Sequence, residues 1–211
     1  MTTNSLYFLD LEGSTLKKKL LGYYFTNPKK HYYVRELAVH LNVDPTNLSK
    51  ELRRLEKNGV FISEKQGNLK YFSLNFRYPL YQELKSMIFK TIGVKGAIQQ
   101  LLGKTPGIKR AFIYGSFAKK SERADSDIDL CLVVAKKEFK EDLLLENLRK
   151  LEHELGREIN YTFFTEEEWQ SKQRSKDSFI TGLLKNKRIE LIHEKDWSSR
   201  FNTGKTNSRR T

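Results

Sequence analysis

The segment around Gly115 constrains the fold of this chain more than any other part of the sequence. The apolar run over residues 111–114 predicts a buried strand, and Gly115 ends it where the backbone can approach another group closely. Ser116 follows at a predicted helix start, where backbone N–H groups favour a phosphate oxygen. After a ten-residue spacer, a second strand carries Asp127 and Asp129 on one face. Magnesium takes a few carboxylates together with phosphates and water, so the pattern predicts Mg²⁺-dependent phosphoryl or nucleotidyl transfer.

Gly115-Ser116, the ten-residue spacer and Asp127-x-Asp129 resemble the signature of the DNA polymerase β-type nucleotidyltransferase superfamily, and especially its small bacterial and archaeal members. The resemblance implies an α/β domain with a mixed sheet that binds a nucleoside triphosphate, expected to be ATP, with one or two Mg²⁺ ions. It assigns Gly115 and Ser116 to nucleotide binding, and Asp127 and Asp129 to metal binding and catalysis. The alternative is a surface loop with an acidic turn before a strand.

A third strand is predicted over residues 158–164, where this family places a third carboxylate. The matching position holds Asn160, whose amide coordinates metal weakly and cannot act as a base. Glu158 lies on the same predicted strand face and is a possible substitute, although strand rise separates the two positions by about 6.6–6.8 Å. Loss of a general base typically costs about 10²–10⁴ in rate. Asn160 therefore leaves open whether the domain transfers nucleotides or only binds them.

Three amphipathic helix patterns and two strand patterns occupy residues 14–76. The second helix is expected to begin at Tyr32 or Tyr33. Asp44 is the predicted N-cap of the third helix, and Pro45 takes its first helical position. A short glycine-containing turn then joins the two strands as a hairpin.

Helices of this order, with a tight turn before the third and a hairpin after it, resemble the winged helix-turn-helix domains of MarR-type and ArsR-type prokaryotic regulators. The resemblance implies that the third helix enters the major groove of double-stranded DNA. The expected DNA contacts lie on the outward face of that helix and on the wing: Thr46, Asn47, Lys50, Arg53, Arg54, Lys57, Lys65 and Lys70. Thr46 and Asn47 are placed to read bases, whereas the basic residues are better phosphate contacts. A solvated basic face on a protein–protein winged helix is the alternative.

Composition supports a folded protein with a polyanionic partner. The 211 residues are 38% hydrophobic and 31% charged, with a net charge of +13, which makes nucleic acid the default partner. The single cysteine, Cys131, falls in a strand and is expected in the core. Neither an apolar run of membrane-spanning length nor a secretory signal is recognised, so a cytoplasmic protein without a membrane partner is expected.

These patterns predict an α+β protein with an N-terminal winged helix-turn-helix and a C-terminal nucleotidyltransferase-like α/β domain. The expected divisions are a flexible arm at 1–13, the winged helix at 14–76, a linking helix at 77–92, the nucleotidyltransferase-like domain at 93–194, and a basic disordered tail at 195–211. A homodimer is expected, because winged helices that read palindromes are usually dimers.

Two functions are compatible with this organisation. The first is a transcription regulator or antitoxin-like factor that binds DNA and Mg²⁺–NTP, with possible nucleotidyl transfer to a hydroxyl of a protein, such as a partner toxin, or of a nucleic acid. The second is a transcription regulator whose nucleotidyltransferase domain is catalytically degenerate because of Asn160.

Overall fold

The chain divides into two compact units in a computed structural model that describes residues 14–119, 123 and 126–193. The first unit comprises residues 1–97 with 153–156, and the second comprises residues 98–152 with 157–211. The predicted arm at 1–13 and the predicted tail at 195–211 lie outside the described residues.

The first unit is built from helices and a small antiparallel sheet. Its elements are α1 (Thr15–Thr26), β1 (Tyr32–Tyr33), α2 (Val34–Leu41), α3 (Pro45–Lys57), β2 (Phe61–Gln66), β3 (Leu69–Leu74) and α4 (Tyr81–Thr91), followed by α5 (Val94–Gly103), which continues into the second unit. Its three strands are ordered β1-β3-β2.

Local capping explains where these helices begin. The Ser14 hydroxyl accepts a hydrogen bond from the Lys17 amide at 3.2 Å, and the Asp44 carboxylate accepts one from the Asn47 amide at 2.8 Å. Each side chain satisfies a backbone donor that has no partner within the helix. Pro45 occupies the first turn of α3 and so loses no helical hydrogen bond.

The expected start of the second helix at Tyr32 or Tyr33 is wrong. These residues form β1, which pairs antiparallel with β3 through Tyr32 opposite Phe72 and Tyr33 opposite Tyr71, and α2 begins at Val34. The tyrosines complete the small sheet, because their backbone groups find partners almost forty residues away that local periodicity does not reveal.

One apolar cluster forms the core of the first unit. Leu48, Leu52 and Leu55 project from α3 at helical spacing and are fully buried, together with Phe61 and Phe72 of the hairpin strands. The buried stripe directs the opposite, polar face of α3 toward solvent.

The second unit has a mixed four-stranded sheet. Its elements after α5 are β4 (Ile108–Tyr114), α6 (Gly115–Lys119), β5 (Ile128–Val134), α7 (Glu141–Leu155), β6 (Ile159–Thr165), α8 (Glu166–Arg174), α9 (Ser178–Lys185) and β7 (Ile189–Ile192). The strand order is β6-β5-β4-β7. Strand β5 is antiparallel to β4 and parallel to β6, and α7 provides the crossover that a parallel pair requires.

Alternate residues of the central strands face α8 and α9. Phe112, Cys131 and Val133 pack there against Trp169, Ile180 and Leu183. Burial raises the pKa of the Cys131 thiol to about 12, which leaves it a core residue without nucleophilic character at neutral pH. Asp129 precedes Cys131 by two positions, so the sheet face that holds this core also carries Asp129 at its edge.

Within the described part of the chain, none of the helices combines the length and the apolar character needed to cross a membrane.

Candidate nucleotide-binding site

Gly115 and Asp129 meet where β4 passes into α6. Tyr114, the last residue of β4, lies opposite Asp129 in the antiparallel register, and Gly115 follows with a φ of +69°. A Cβ atom on residue 115 would overlap the Oδ2 atom of Asp129. The left-handed backbone conformation favours glycine here, and the Asp129 carboxylate packs where a side chain would begin.

Asp127 and Asp129 place two carboxylates side by side at the start of β5. Both side chains are half-buried, and Ile128 between them is fully buried on the other face of the sheet. Burial raises the pKa of Asp129, and the negative charge of Asp127 raises it further. Two like charges held close in a partly desolvated site favour a cation between them.

Asn160 lies beside these carboxylates. It is opposite Asp129 in the parallel β5–β6 register, and its Nδ2 atom donates a hydrogen bond to Oδ2 of Asp127 at 3.1 Å. The structure thus brings the position of the family's third carboxylate to the aspartate pair, with an amide donor in place of an acidic acceptor.

Glu158 occupies a different setting from Asn160. It is exposed and precedes β6, and its backbone carbonyl accepts a hydrogen bond from the Ile128 amide at 2.9 Å. This bond extends the strand pairing and contributes to the placement of Asp127 through the main chain.

The two carboxylates, Asp127 and Asp129, suit magnesium better than a metal that is bound entirely by protein side chains. In the described segments, no cluster of three or more His, Cys, Asp or Glu side chains is arranged to hold a metal ion. Asp127 and Asp129 nevertheless supply two carboxylates at this place, and burial together with the charge of Asp127 raises the pKa of Asp129. Mg²⁺ is usually held by one or two carboxylates, with water and substrate phosphates completing the shell.

Arg157 holds the segment that leads into Asp127, a role that a basic residue before a predicted strand does not reveal in the sequence. Its side chain is only 7% exposed, and Nη1 donates to the carbonyls of Arg123 and Ser126, each at 3.1 Å. The guanidinium also lies 5.9 Å from the ring centre of Phe117 in α6. A single buried cation therefore connects the helix after Gly115 with the entrance to β5.

The residues expected to contact DNA lie in the first unit. Thr46, Asn47, Lys50, Arg53, Arg54, Lys57, Lys65 and Lys70 are all exposed on α3 or on the β2–β3 hairpin. Two of these cations carry intramolecular partners: Arg54 pairs with Glu51 at 2.9 Å, and Lys70 pairs with Glu56 at 2.8 Å.

The Glu56 pair is the better anchored of the two. Although burial raises the pKa of Glu56, the hydrogen bonds from Lys70 and Ser63 outweigh it and hold that pKa below its ordinary value. Exposed ion pairs of this kind contribute only about 0.2–1 kcal/mol each.

Comparison with known proteins identifies the class of the second unit. Residues 97–179 match the family described as "Polymerase beta, Nucleotidyltransferase". The match contains Gly115, Ser116, Asp127, Asp129 and Asn160. The protein thus carries a nucleotidyltransferase domain, as the sequence resemblance predicts.

No curated protein matches the chain. Among solved structures, the chain is similar to one described as "Crystal structure of the toxin-antitoxin with AMP-PNP". The two are 17% identical, the alignment covers 52% of this chain and 81% of the other, and the TM-score is 0.36.

Proposed function

We propose that the second unit binds a nucleoside triphosphate with Mg²⁺ at the site formed by Gly115, Ser116, Asp127 and Asp129. The observation that carries this proposal is the packing of Gly115, at a φ of +69°, directly against the Asp129 carboxylate within a nucleotidyltransferase domain. The absence of a side chain at residue 115 lets the Asp129 carboxylate pack against the turn whose backbone would hold the phosphates.

The roles of the residues follow from their positions. Asp127 and Asp129 would hold one or two Mg²⁺ ions, and the backbone at Gly115 and the hydroxyl of Ser116 would hold the triphosphate, with ATP as the expected nucleotide. Bound Mg²⁺ supplies charge stabilisation for the entering and leaving oxygens of an in-line displacement. Arg157 keeps the chain before Asp127 in place through the carbonyls of Arg123 and Ser126.

Nucleotidyl transfer is the reaction that this site would support. The oxygen of an acceptor hydroxyl would bond to the α-phosphorus while the bond to the bridging oxygen breaks and pyrophosphate leaves. The hydroxyl proton would pass to water, because the Asn160 amide cannot accept it. The acceptor hydroxyl would belong to a protein, such as a partner toxin, or to the end of a nucleic acid.

Asn160 favours a second possibility, in which the unit binds the nucleotide without transferring it. Its Nδ2 atom donates to Asp127 at 3.1 Å, so this position satisfies the existing carboxylate rather than adding another metal ligand or a base. The domain would then serve a regulator as a nucleotide sensor.

We further propose that the first unit is a winged helix that binds double-stranded DNA. The order α1-β1-α2-α3-β2-β3, the exposed basic face of α3 and the net charge of +13 support this proposal. The protein would act in the cytoplasm as a transcription regulator or antitoxin-like factor, as a homodimer on a palindromic site.

Calorimetry with Mg²⁺ and ATP tests the nucleotide site, using the wild type and the Asp127→Ala/Asp129→Ala double variant. We expect binding that requires both Mg²⁺ and the aspartates. The same wild-type sample, incubated with α-labelled NTPs and a cell extract, separates the two functions: label on an acceptor indicates transfer, and binding without label indicates a sensor. Failure of the wild type to bind any NTP would overturn the proposal.

A further inference from the structure

Three aromatic side chains form a cluster on the sheet face that carries the carboxylates. The ring of Phe179 meets Tyr114 edge to face, with centroids 5.8 Å apart and an interplanar angle of 85°. Its centroid is 6.2 Å from that of Phe164. We call Tyr114, Phe164 and Phe179 the aromatic rim. The rim continues the apolar core beneath α8 and α9 toward the aspartates.

The register of the sheet places Tyr114, one member of this rim, next to the proposed metal site. Tyr114 lies directly opposite Asp129, and directly opposed residues of an antiparallel pair project from the same face.

Phe179 is the exposed member of the rim. It is 40% exposed, although it is in the first turn of α9. The preceding Asp177 caps that helix by accepting from the Ile180 amide at 3.1 Å, and it also pairs with Lys172 at 3.3 Å. The cap holds the backbone of Phe179, and the contacts with Tyr114 and Phe164 leave one part of its ring facing solvent.

We propose that the aromatic rim is the subsite for the nucleobase of the bound nucleotide, with Phe179 as its stacking residue. This inference rests on the proposed function and extends it from the triphosphate to the base. In a nucleotide, one ribose separates the phosphates from the base. If the phosphates lie at Gly115 and the aspartates, the base would therefore lie among the side chains next to that site. A flat ring with one exposed surface matches the flat face of a base.

Stacking also predicts how selective the subsite is. Every base has a π-face, so a stacking contact tolerates different bases. Base–aromatic stacking removed by alanine substitution typically weakens binding by about 5- to 150-fold. We therefore expect Phe179→Ala to weaken ATP and GTP by similar factors in this range.

Binding of Mg²⁺–ATP and of Mg²⁺–tripolyphosphate, which has no base, tests the inference by calorimetry. We expect the wild type to prefer ATP, and Phe179→Ala to lose most of that preference while its affinity for tripolyphosphate stays unchanged. Phe179→Trp should retain the preference, because it keeps an aromatic surface. Phe76→Ala is the matched control, since Phe76 is an exposed phenylalanine of the first unit at 56%.

The outcomes distinguish this inference from the function on which it rests. Equal affinity of the wild type for ATP and tripolyphosphate, or an unchanged ATP preference in Phe179→Ala, would overturn the nucleobase subsite and leave the phosphate site standing. The inference would also be overturned if Phe179→Trp and Phe179→Ala both lost affinity for ATP and for tripolyphosphate while their unfolding curves stayed normal. A wild type that binds neither ligand would remove the proposed function itself.

Discussion

Replacement of Gly115 by alanine tests the close approach on which the candidate site depends. The left-handed φ of +69° costs a non-glycine residue about 1–2 kcal/mol. The new Cβ would also overlap Oδ2 of Asp129, and such overpacking typically costs about 1–3 kcal/mol. We therefore expect Gly115→Ala to lower the free energy of unfolding by about 2–5 kcal/mol.

The two contributions separate in a double-mutant cycle with Asp129→Ala. Removal of the carboxylate eliminates the overlap, so Gly115→Ala in that background should cost only the backbone term of about 1–2 kcal/mol. Denaturant unfolding followed by Trp169 fluorescence reports on the second unit, because Trp169 is buried in its core. An equal cost of Gly115→Ala in both backgrounds would refute the close approach.

Gly67 provides a control for the backbone term alone. It has a φ of +60°, and nothing lies within 4 Å of a Cβ built there. Gly67→Ala, followed by circular dichroism, should cost about 1–2 kcal/mol and leave Mg²⁺–ATP affinity unchanged. A loss of ATP affinity in Gly67→Ala would mean that the assay reports general destabilisation rather than the state of the site.

Four further predictions concern the charged groups. Folding raises the pKa of Asp129, so the stability of the protein should fall as pH rises from the unfolded-state pKa to the folded-state pKa of this group. Asp129→Asn should flatten this fall in stability, as measured by thermal scans at different pH values. The same variant should abolish Mg²⁺-dependent ATP binding. Asn160→Asp should lower the stability of the metal-free protein by about 1 kcal/mol, because the amide that donates to Asp127 is replaced by a second negative charge. The same variant should be stabilised more strongly by Mg²⁺ than the wild type. Arg157→Gln should cost about 2–3 kcal/mol and weaken Mg²⁺–ATP binding, since two backbone carbonyls lose a charged donor. Six phosphate contacts predict a salt slope near −5 for DNA binding, and Lys50→Ala with Arg53→Ala should reduce its magnitude by about 2.

Matched variants define what would contradict these expectations. Arg54→Gln is the control for Arg157, because its guanidinium also donates a hydrogen bond within the protein, to Glu51 at 2.9 Å, but belongs to the first unit. Equal losses of ATP affinity in the two arginine variants would argue against a specific role for Arg157. Lys90→Ala, on exposed α4 surface, should leave the DNA salt slope unchanged. An Asn160→Asp variant with unaltered Mg²⁺ response, or a pH profile unchanged by Asp129→Asn, would contradict the proposed metal site.

Local patterns are sufficient to predict much of the fold. Asp44 and Pro45 mark the start of α3 because capping and the missing proline N–H act within one helical turn. The spacing of Leu48, Leu52 and Leu55 predicts which face of α3 is buried, because residues three and four positions apart lie on one side of a helix. Asp129 shares a face of β5 with Cys131 and Val133 because strand side chains alternate.

The features that sequence reasoning missed depend on long-range contacts. Tyr32 and Tyr33 form β1 only because Phe72 and Tyr71 are available opposite them. Arg157 becomes a positioning residue because the fold carries the carbonyls of Arg123 and Ser126 to it across more than thirty residues. Likewise, the sequence predicts that Asn160 departs from the family pattern but not that its amide donates to Asp127.

Paramagnetic relaxation by Mn²⁺ in the presence of a non-hydrolysable ATP analogue tests the central claim most directly. Mn²⁺ suits the same oxygen ligands as Mg²⁺ and broadens the signals of nearby amides. The account predicts nucleotide-dependent broadening centred on Gly115, Ser116 and Asp129, and its disappearance in the Asp127→Ala/Asp129→Ala variant. Broadening that is absent, or that persists in the double variant, would contradict a metal–nucleotide site at these residues.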